Sequence, residues 1–576
     1  MDHVLSAPLG AQVNSESSED HARMTLTTQL ALGQSLRVIK FVAFGWSSQR
    51  SVPALRSQVE GALATAMRHG WQGLAAAQRK YLSAFWAGAD VEVNGDPEIQ
   101  LAIRFALFHV LQSAARAEQR AIPAKGLTGP GYDGHTFWDM DTFVLPMLTY
   151  TAPGAVADVL RWRHQTLDLA RARAKVLGLK GAAFPWRTIH GEECSGYWPA
   201  STAAFHINAD IADAVLRYIS ATNDELFERT IGLELLVETS RLWMSLGHRD
   251  QQRRFRIDGV TGPDEYSAIA DNNLYTNLMA QRNLRAAADT VERHRVAADR
   301  LNVRPREVDA WRSAAENMYI PYDEALGVHE QASDFTKHQR WDFARTKPEQ
   351  YPLFLHFPYF DLYRKQVAKQ ADLVLAMFLR GDAFTDEQKA RNFAYYEGIT
   401  VRDSSLSSST QAVIAAEVGH LQLAYDYLGE AALMDLNDLE HNVRDGVHMG
   451  SLAGAWLAVV AGFGGMRHHG DLLGFAPRLP PPIRRLTFRM TFLGRLLKVT
   501  VNRSRVTYTL IRGGPLTFSH YGSAVRLPSR GSVARRIPKI TATESPTQPA
   551  GRAPARRLGL QEPRELRPQG NRREHP

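Results

Sequence analysis

Residues 202–220 (TAAFHINADIADAVLRYIS) and 223–246 (NDELFERTIGLELLVETSRLWMSL) set apolar side chains three and four positions apart, the period of a helix that buries one face. The same spacing recurs over 98–119, 154–178, 272–296, 366–380, 406–418 and 449–463. From about Pro97 to about Gly465 the chain therefore reads as one helix after another. Gly, Pro and Asp punctuate the connections, and many loops are long and rich in Trp, His, Asp and Glu. Rigid helices carrying long polar-aromatic loops place the chemistry at the loop end of the scaffold. The pattern predicts a mainly-α fold. Spacing by itself does not distinguish a barrel of paired helices from another helical array.

On the C-terminal side, the period changes to two after Pro480–Pro482. LTFRMTF, LLKVTVN, RVTYTLI and LTFSHY alternate around short turns and predict a small antiparallel β-sheet within 471–522. On the N-terminal side, 24–47 (MTLTTQLALGQSLRVIKFVAFGWS) reads as strands, with 23–50 taken as the remnant of a β domain. Residues 1–22 are polar and predicted disordered, and 51–95 are predicted linker helices. Residues 523–576 are predicted to be a disordered tail, rich in Pro and Arg.

Composition narrows the function classes. The chain has 576 residues, 44% of them hydrophobic, enough for a large core. The net charge of +8 invites a nucleic-acid reading. From Ser523 onward, however, lie 12 of the 68 Lys and Arg and four of the 60 Asp and Glu, so the remainder holds 56 of each and is neutral. A basic tail on a neutral body predicts no nucleic-acid partner. The single cysteine, Cys194, excludes an intramolecular disulfide and a Cys-based zinc site, and fits a reducing, cytoplasmic setting. The first thirty residues lack a basic start with an apolar run, and the longest apolar stretch, Gly450 to Met466, is short and Gly-rich. No membrane partner is expected.

Val260-Thr261-Gly262-Pro263-Asp264-Glu265-Tyr266 contains a tight-turn signal, which puts its carboxylates on a loop rather than on a solvated helix face. Glycoside cleavage needs a carboxylic acid held protonated near neutral pH, and an aromatic neighbour such as Tyr266 helps desolvate it. Turn carboxylates of no catalytic role read the same way. His135-Thr136-Phe137-Trp138-Asp139-Met140-Asp141 offers an aromatic pair and two acids to a sugar, or a helix start with acids at its N-terminus. The loop 183–198 (AFPWRTIHGEECSGYW) is similar in kind, with His190, Glu192 and Glu193. No His, Asp and Glu set shows metal-ligand spacing. Lys369-Gln370 stands at the head of an apolar helix, and Arg402-Asp403-Ser404-Ser405 opens another as an N-cap or an anion cradle.

Taken in order over about residues 120–470, six segments resemble glycoside hydrolase family 65. They are GHTFWDMDTFVLP (134–146), GAAFPW (181–186) with GEE, GPDEY (262–266) with DNNLYTN, VAKQADLV (367–374), YYEGITVRDSSLS (395–407) and DGVHMGSLAGAW (445–456) with GFGG. That family contains inverting trehalose, maltose and kojibiose phosphorylases and hydrolases such as acid trehalases. The resemblance implies an N-terminal β-sandwich, here only its last strands, then a linker, an (α/α)6 barrel over 96–470 and a C-terminal sheet. It implies Glu265 as proton donor, with Trp138, Asp139, Lys369 and Gln370 around the first glucose. It implies Ser404, Ser405 and His448 around phosphate in the phosphorylases, no cofactor beyond that co-substrate, no metal, and a possible homodimer. Val401-Arg402 and Gln411 depart from the usual phosphorylase frame around the serine pair. That departure favours an inverting hydrolase of a trehalose-like disaccharide, with Glu397 as base. A phosphorylase releasing β-glucose 1-phosphate is the alternative, and an inactive, truncated sugar-binding protein a third. Arg402 binds phosphate on one reading and pairs with a neighbouring acid on another.

Overall fold

The computed structural model describes residues 1–47, 50–115, 118–196, 199–539 and 545–558. The chain forms two compact units, 1–87 and 88–576. In the first, Asp2–Ser6 pairs antiparallel with Arg37–Phe41, and Gln12–Ser17 with Ala22–Thr27. Residues 1–22, expected to be disordered, thus carry strands. Gln12–Ser17 is exposed along its whole length, so it lacks the alternating apolar signal from which a strand is read. The long helix Val52–Ala89 follows, bent at Gly70, whose φ of 65° lies in the left-handed region.

Twelve helices of the second unit pair around a ring. They are α1 (Pro97–Ala115), α2 (Leu145–Thr151), α3 (Pro153–Gln165), α4 (His206–Thr222), α5 (Leu233–Leu246), α6 (Leu274–Arg293), α7 (Pro305–Glu316), α8 (Asp372–Leu379), α9 (Asp386–Glu397), α10 (Ser407–Glu417), α11 (Leu421–Leu433) and α12 (Met449–Leu457). The even-numbered helices pack each on the next, and α12 closes on the segment leading into α2. The odd-numbered helices lie outside them, giving an (α/α)6 barrel. Burial explains the division. Every residue of α8 and α12 is buried, whereas α7 buries only Val308, Trp311, Ala314 and Ala315, the stripe of an outer amphipathic helix.

The predicted helix over 366–380 begins only at Asp372. Lys365–Gln366 pairs with Gln339–Arg340 and Ala368 bridges to Thr400, so Lys369 and Gln370 lie in a bend between that bridge and the helix. The segment 154–178 breaks at Thr166 into two helices, and the linker helices expected over 51–95 are a single bent helix followed by a strand, Val91–Asn94.

All four period-two segments form strands. A five-stranded antiparallel sheet runs in the order Ser532–Arg536, Arg505–Arg512, Arg495–Asn502, Arg485–Phe492, Val91–Asn94. Its last strand comes from the expected linker and pairs Val91 with Phe488 and Asn94 with Arg485. A four-stranded sheet combines Met466–His469, Leu472–Phe475, Leu516–His520 and Ser523–Leu527. Phe475, Tyr508 and Phe518 meet between the two sheets at ring separations of 4.6–5.5 Å.

The expected boundary of a solvated tail at Ser523 does not hold. Two strands lie beyond it, and residues 545–558 make side-chain contacts with the barrel. Residues 540–544 and 559–576 lie outside the described residues.

Candidate active site

Asp139, Lys369–Gln370, Ser404–Ser405 and His448 stand just before the segments that start the inner helices α2, α8, α10 and α12, and Glu265 lies on the loop leading to α6. Inner-helix N-termini at one end of the ring gather these loops at a common mouth, with the positive ends of the helix dipoles toward it.

Two buried carboxylates fix the Glu265 loop. Asp372 accepts hydrogen bonds from the Asp264 backbone N–H (2.6 Å) and from Asn273 Nδ2 (2.6 Å). Asp264 accepts from Gln331 Nε2 (2.7 Å), the Lys369 N–H (2.8 Å) and the Tyr266 N–H (3.2 Å). Burial pushes both carboxyls up, and their mutual repulsion adds to the shift at Asp372. Asp264 therefore scaffolds the turn while the next residue, Glu265, faces the mouth. Gly262 has no room for a Cβ, which would stand 2.2 Å from Asp372 Oδ2.

Glu265 Oε2 receives the Lys369 ammonium at 2.8 Å. Burial alone would lower the Lys369 pKa; the Glu265 carboxylate more than reverses it, and the ammonium lies above its ordinary value. Asp139 is pushed up to about 6, chiefly by burial, with Glu265 adding repulsion and His448 and Lys369 opposing. Gln370 donates to the Pro263 carbonyl (2.5 Å) and accepts from Ser404 Oγ (2.7 Å). Trp138 is buried edge-on against Phe143 and His206 and lines a small cavity with Pro263, Gln370 and Leu406.

His448 Nδ1 lies 2.7 Å from Asp435 Oδ1, and its Nε2 lies 2.9 Å from Lys125 Nζ. An ammonium can only donate, so Nε2 accepts and the Nδ1 proton goes to Asp435. Burial lowers Lys125, with Asp435, Asp445 and Asp139 opposing. Sequence reasoning missed this lysine, which sits in the Gly- and Pro-rich stretch 123–131 with no periodic signal around it. It missed Gln331 for the same reason.

Several expected site residues stand elsewhere. Asp141 is buried in an ion pair with Arg163, not open to a sugar. Glu193 holds Arg173 at 2.5 Å, Trp186 packs on Phe137, and His190 is exposed; Trp198 lies outside the described residues. Arg402 pairs with Glu430 at 3.1 Å, the second of its two readings. Glu397 is buried, and its oxygens accept from Tyr427, Gln548 (3.0 Å) and Gln411 (2.8 Å). Among the described residues no cluster of His, Cys, Asp and Glu fits a metal ion, and no helix is long and apolar enough to cross a membrane.

A carboxyl group among polar and aromatic side chains at the loop end of an (α/α)6 barrel fits an enzyme acting on O-glycosyl bonds, and the matching family is one of such enzymes. Residues 104–457 match the glycosyl hydrolase family 65 central catalytic domain, 466–527 its C-terminal domain and 1–85 its N-terminal domain. The chain belongs to glycosyl hydrolase family 65. The N-terminal match covers both the expected disordered stretch and the expected sandwich remnant. A glycosyl hydrolase of Mycobacterium tuberculosis is 55% identical over 567 residues, 97% of this chain and 71% of that protein. The α,α-trehalose phosphorylase of Thermoanaerobacter brockii is 40% identical over 537 residues, 92% of this chain and 69% of that protein. A putative kojibiose phosphorylase from the human microbiome superposes with a TM-score of 0.81 at 28% identity, covering 93% of this chain and 76% of that one.

Proposed function

We propose that the protein is an inverting phosphorylase of an α-linked glucose disaccharide, α,α-trehalose foremost. This replaces the hydrolase reading favoured by sequence alone. The observation that carries it is the placement of Glu397. An inverting hydrolase needs a second carboxylate to activate water across the sugar ring. The expected base instead has both oxygens engaged inside the barrel wall. A phosphorylase needs no such base, and relatives such as the T. brockii enzyme are named as phosphorylases.

In this reading Glu265 protonates the departing glycosidic oxygen as the C1–O bond breaks. A phosphate oxygen forms the new bond to C1 from the opposite face, giving β-glucose 1-phosphate and free glucose. Trp138, Asp139, Lys369 and Gln370 hold the non-reducing glucose. Ser404, Ser405 and His448 hold phosphate, with Lys125 behind His448 supplying positive charge. Cys194, free and half-buried, fits a reducing compartment, and we place the enzyme in the cytoplasm.

The test is incubation with trehalose, maltose, kojibiose and nigerose, with and without inorganic phosphate, followed by proton NMR. Strict dependence on phosphate with β-glucose 1-phosphate as first product is expected. Glucose released at a rate indifferent to phosphate would overturn the proposal.

A further inference from the structure

We propose that residues 545–558 form a strap that positions the phosphate-side turn of the site against the Glu265 loop, with Arg552 as its positioning residue. The inference rests on the phosphorolytic reading above. It starts from the way these residues are seated. Gln548 Nε2 donates to Glu397 at 3.0 Å, Arg557 Nη2 reaches Asp96 at 2.7 Å and Glu98 at 2.8 Å, and the Arg557 N–H donates to Asp426 at 2.9 Å. The strap thus runs from the end of α9 at the mouth, along the outer helix α11, to the start of α1 at the other end of the ring. Its seat is shaped for it: a Cβ on Gly429 would stand 2.5 Å from Arg557 Cδ.

Arg552 grips the turn that leads into Ser404. Its Nε donates to the Val401 carbonyl at 2.7 Å, its Nη2 donates to Asp403 Oδ1 at 3.0 Å, and Arg402 donates back to the Arg552 carbonyl. The guanidinium lies 4.6 Å from the centre of the Tyr351 ring. Between the two gripped residues, Arg402 has a φ of 57°, a left-handed conformation that a non-glycine residue keeps only when its surroundings hold it.

Asp403 carries the coupling. Its side chain is 1% exposed. While Oδ1 takes Arg552, Oδ2 accepts from Tyr266 OH at 2.8 Å and from the Leu353 N–H at 2.7 Å. Tyr266 follows the acid Glu265, and Asp403 precedes the serine pair. A single buried carboxylate thereby ties the proton-donating loop to the phosphate-side turn. Burial pushes its carboxyl up, and Arg552 is among the groups that oppose the shift. Without Arg552 the carboxylate loses its cation and the turn loses two of its anchors.

The experiment is steady-state phosphorolysis by the full chain carrying Arg552→Ala, Arg552→Lys, Asp403→Asn or Asp403→Asn with Arg552→Ala, with melting temperatures measured alongside. Arg552→Ala should raise the KM for phosphate about tenfold, the scale of a lost charge-assisted hydrogen bond, with a much smaller change in the KM for disaccharide. Arg552→Lys should recover part of that loss. The double variant should match Asp403→Asn alone. An unchanged phosphate KM in a folded Arg552→Ala protein would overturn the proposal. So would losses that follow melting temperature equally for both substrates. If the unmodified enzyme takes no phosphate, the phosphorolytic reading fails on its own. The strap is then judged on kcat/KM for the disaccharide, where a loss of about tenfold in Arg552→Ala sustains it and an unchanged value ends it.

Discussion

Glu265→Gln keeps the shape of the side chain and removes its capacity to hand over a proton. Its carboxylate is the acceptor of the Lys369 ammonium at 2.8 Å, and both side chains are largely buried, at 19% and 13% exposure. The Gln amide oxygen occupies the same place and still accepts from Lys369, so the contact survives with its charge removed. The cost to stability should be about 1 kcal/mol. The cost to turnover is of another order. Removing a general acid lowers the rate by about 10²–10⁴, which is about 2.7–5.4 kcal/mol of barrier. The assay is phosphorolysis of two donors by the variant: the disaccharide, whose alkoxide leaving group needs the proton, and α-glucosyl fluoride, whose leaving group needs it far less. The variant should lose about 10²–10⁴ on the disaccharide and less than about tenfold on the fluoride. Equal losses on both donors would refute the assignment of Glu265 as acid. So would retention of more than about a tenth of the disaccharide rate.

Asp139→Asn should flatten a pH dependence of stability. The folded-state carboxyl lies at about 6, above the ordinary value of about 3.9. Ionised Asp139 therefore opposes folding above about pH 6, and that penalty fades as the pH falls from about 6 to about 4; denaturant titrations across this window should show the slope in the wild type and not in the variant. Arg163→Met leaves Asp141 as a buried, unpaired carboxylate and should cost about 3–5 kcal/mol in denaturant unfolding. Lys369→Ala should weaken inhibition by glucose, and an unchanged inhibition constant would remove Lys369 from the glucose site.

The helical scaffold was legible because the inner and outer helices keep a 3.6-residue period over long stretches, and the C-terminal strands because LTFRMTF and its neighbours alternate cleanly. The loops that carry Glu265, Lys369, Ser404 and His448 were found by their motifs, since no periodicity reaches them. What escaped has physical causes. Polar ribbons such as Gln12–Ser17 bury too little to print a pattern. Asp264 and Asp372 owe their role to each other across 108 residues, and adjacency in sequence carries no trace of it. The strap was hidden by composition: a stretch rich in Pro and Arg reads as solvated, yet its arginines find Asp403, Asp426 and Asp96 on three separate segments of the barrel. Arg402, placed beside the serine pair by sequence, is turned away from it by Glu430.

The strand Val91–Asn94 finds its ladder on Arg485–Phe488, so the segment that precedes the barrel is hydrogen-bonded to one that follows it. On the ribosome this sets an order of events. The strand emerges ahead of every barrel helix, but its partner is made roughly 390 residues later, a delay of about 20–80 s at ordinary rates of translation. For that interval the strand is an unpaired edge, and until α12 is made the ring of helices can assemble only as an open arc. Glu92, which joins Arg489 at 2.9 Å once the sheet closes, leaves a charge on that edge in the meantime, a feature that discourages pairing with a neighbouring nascent chain.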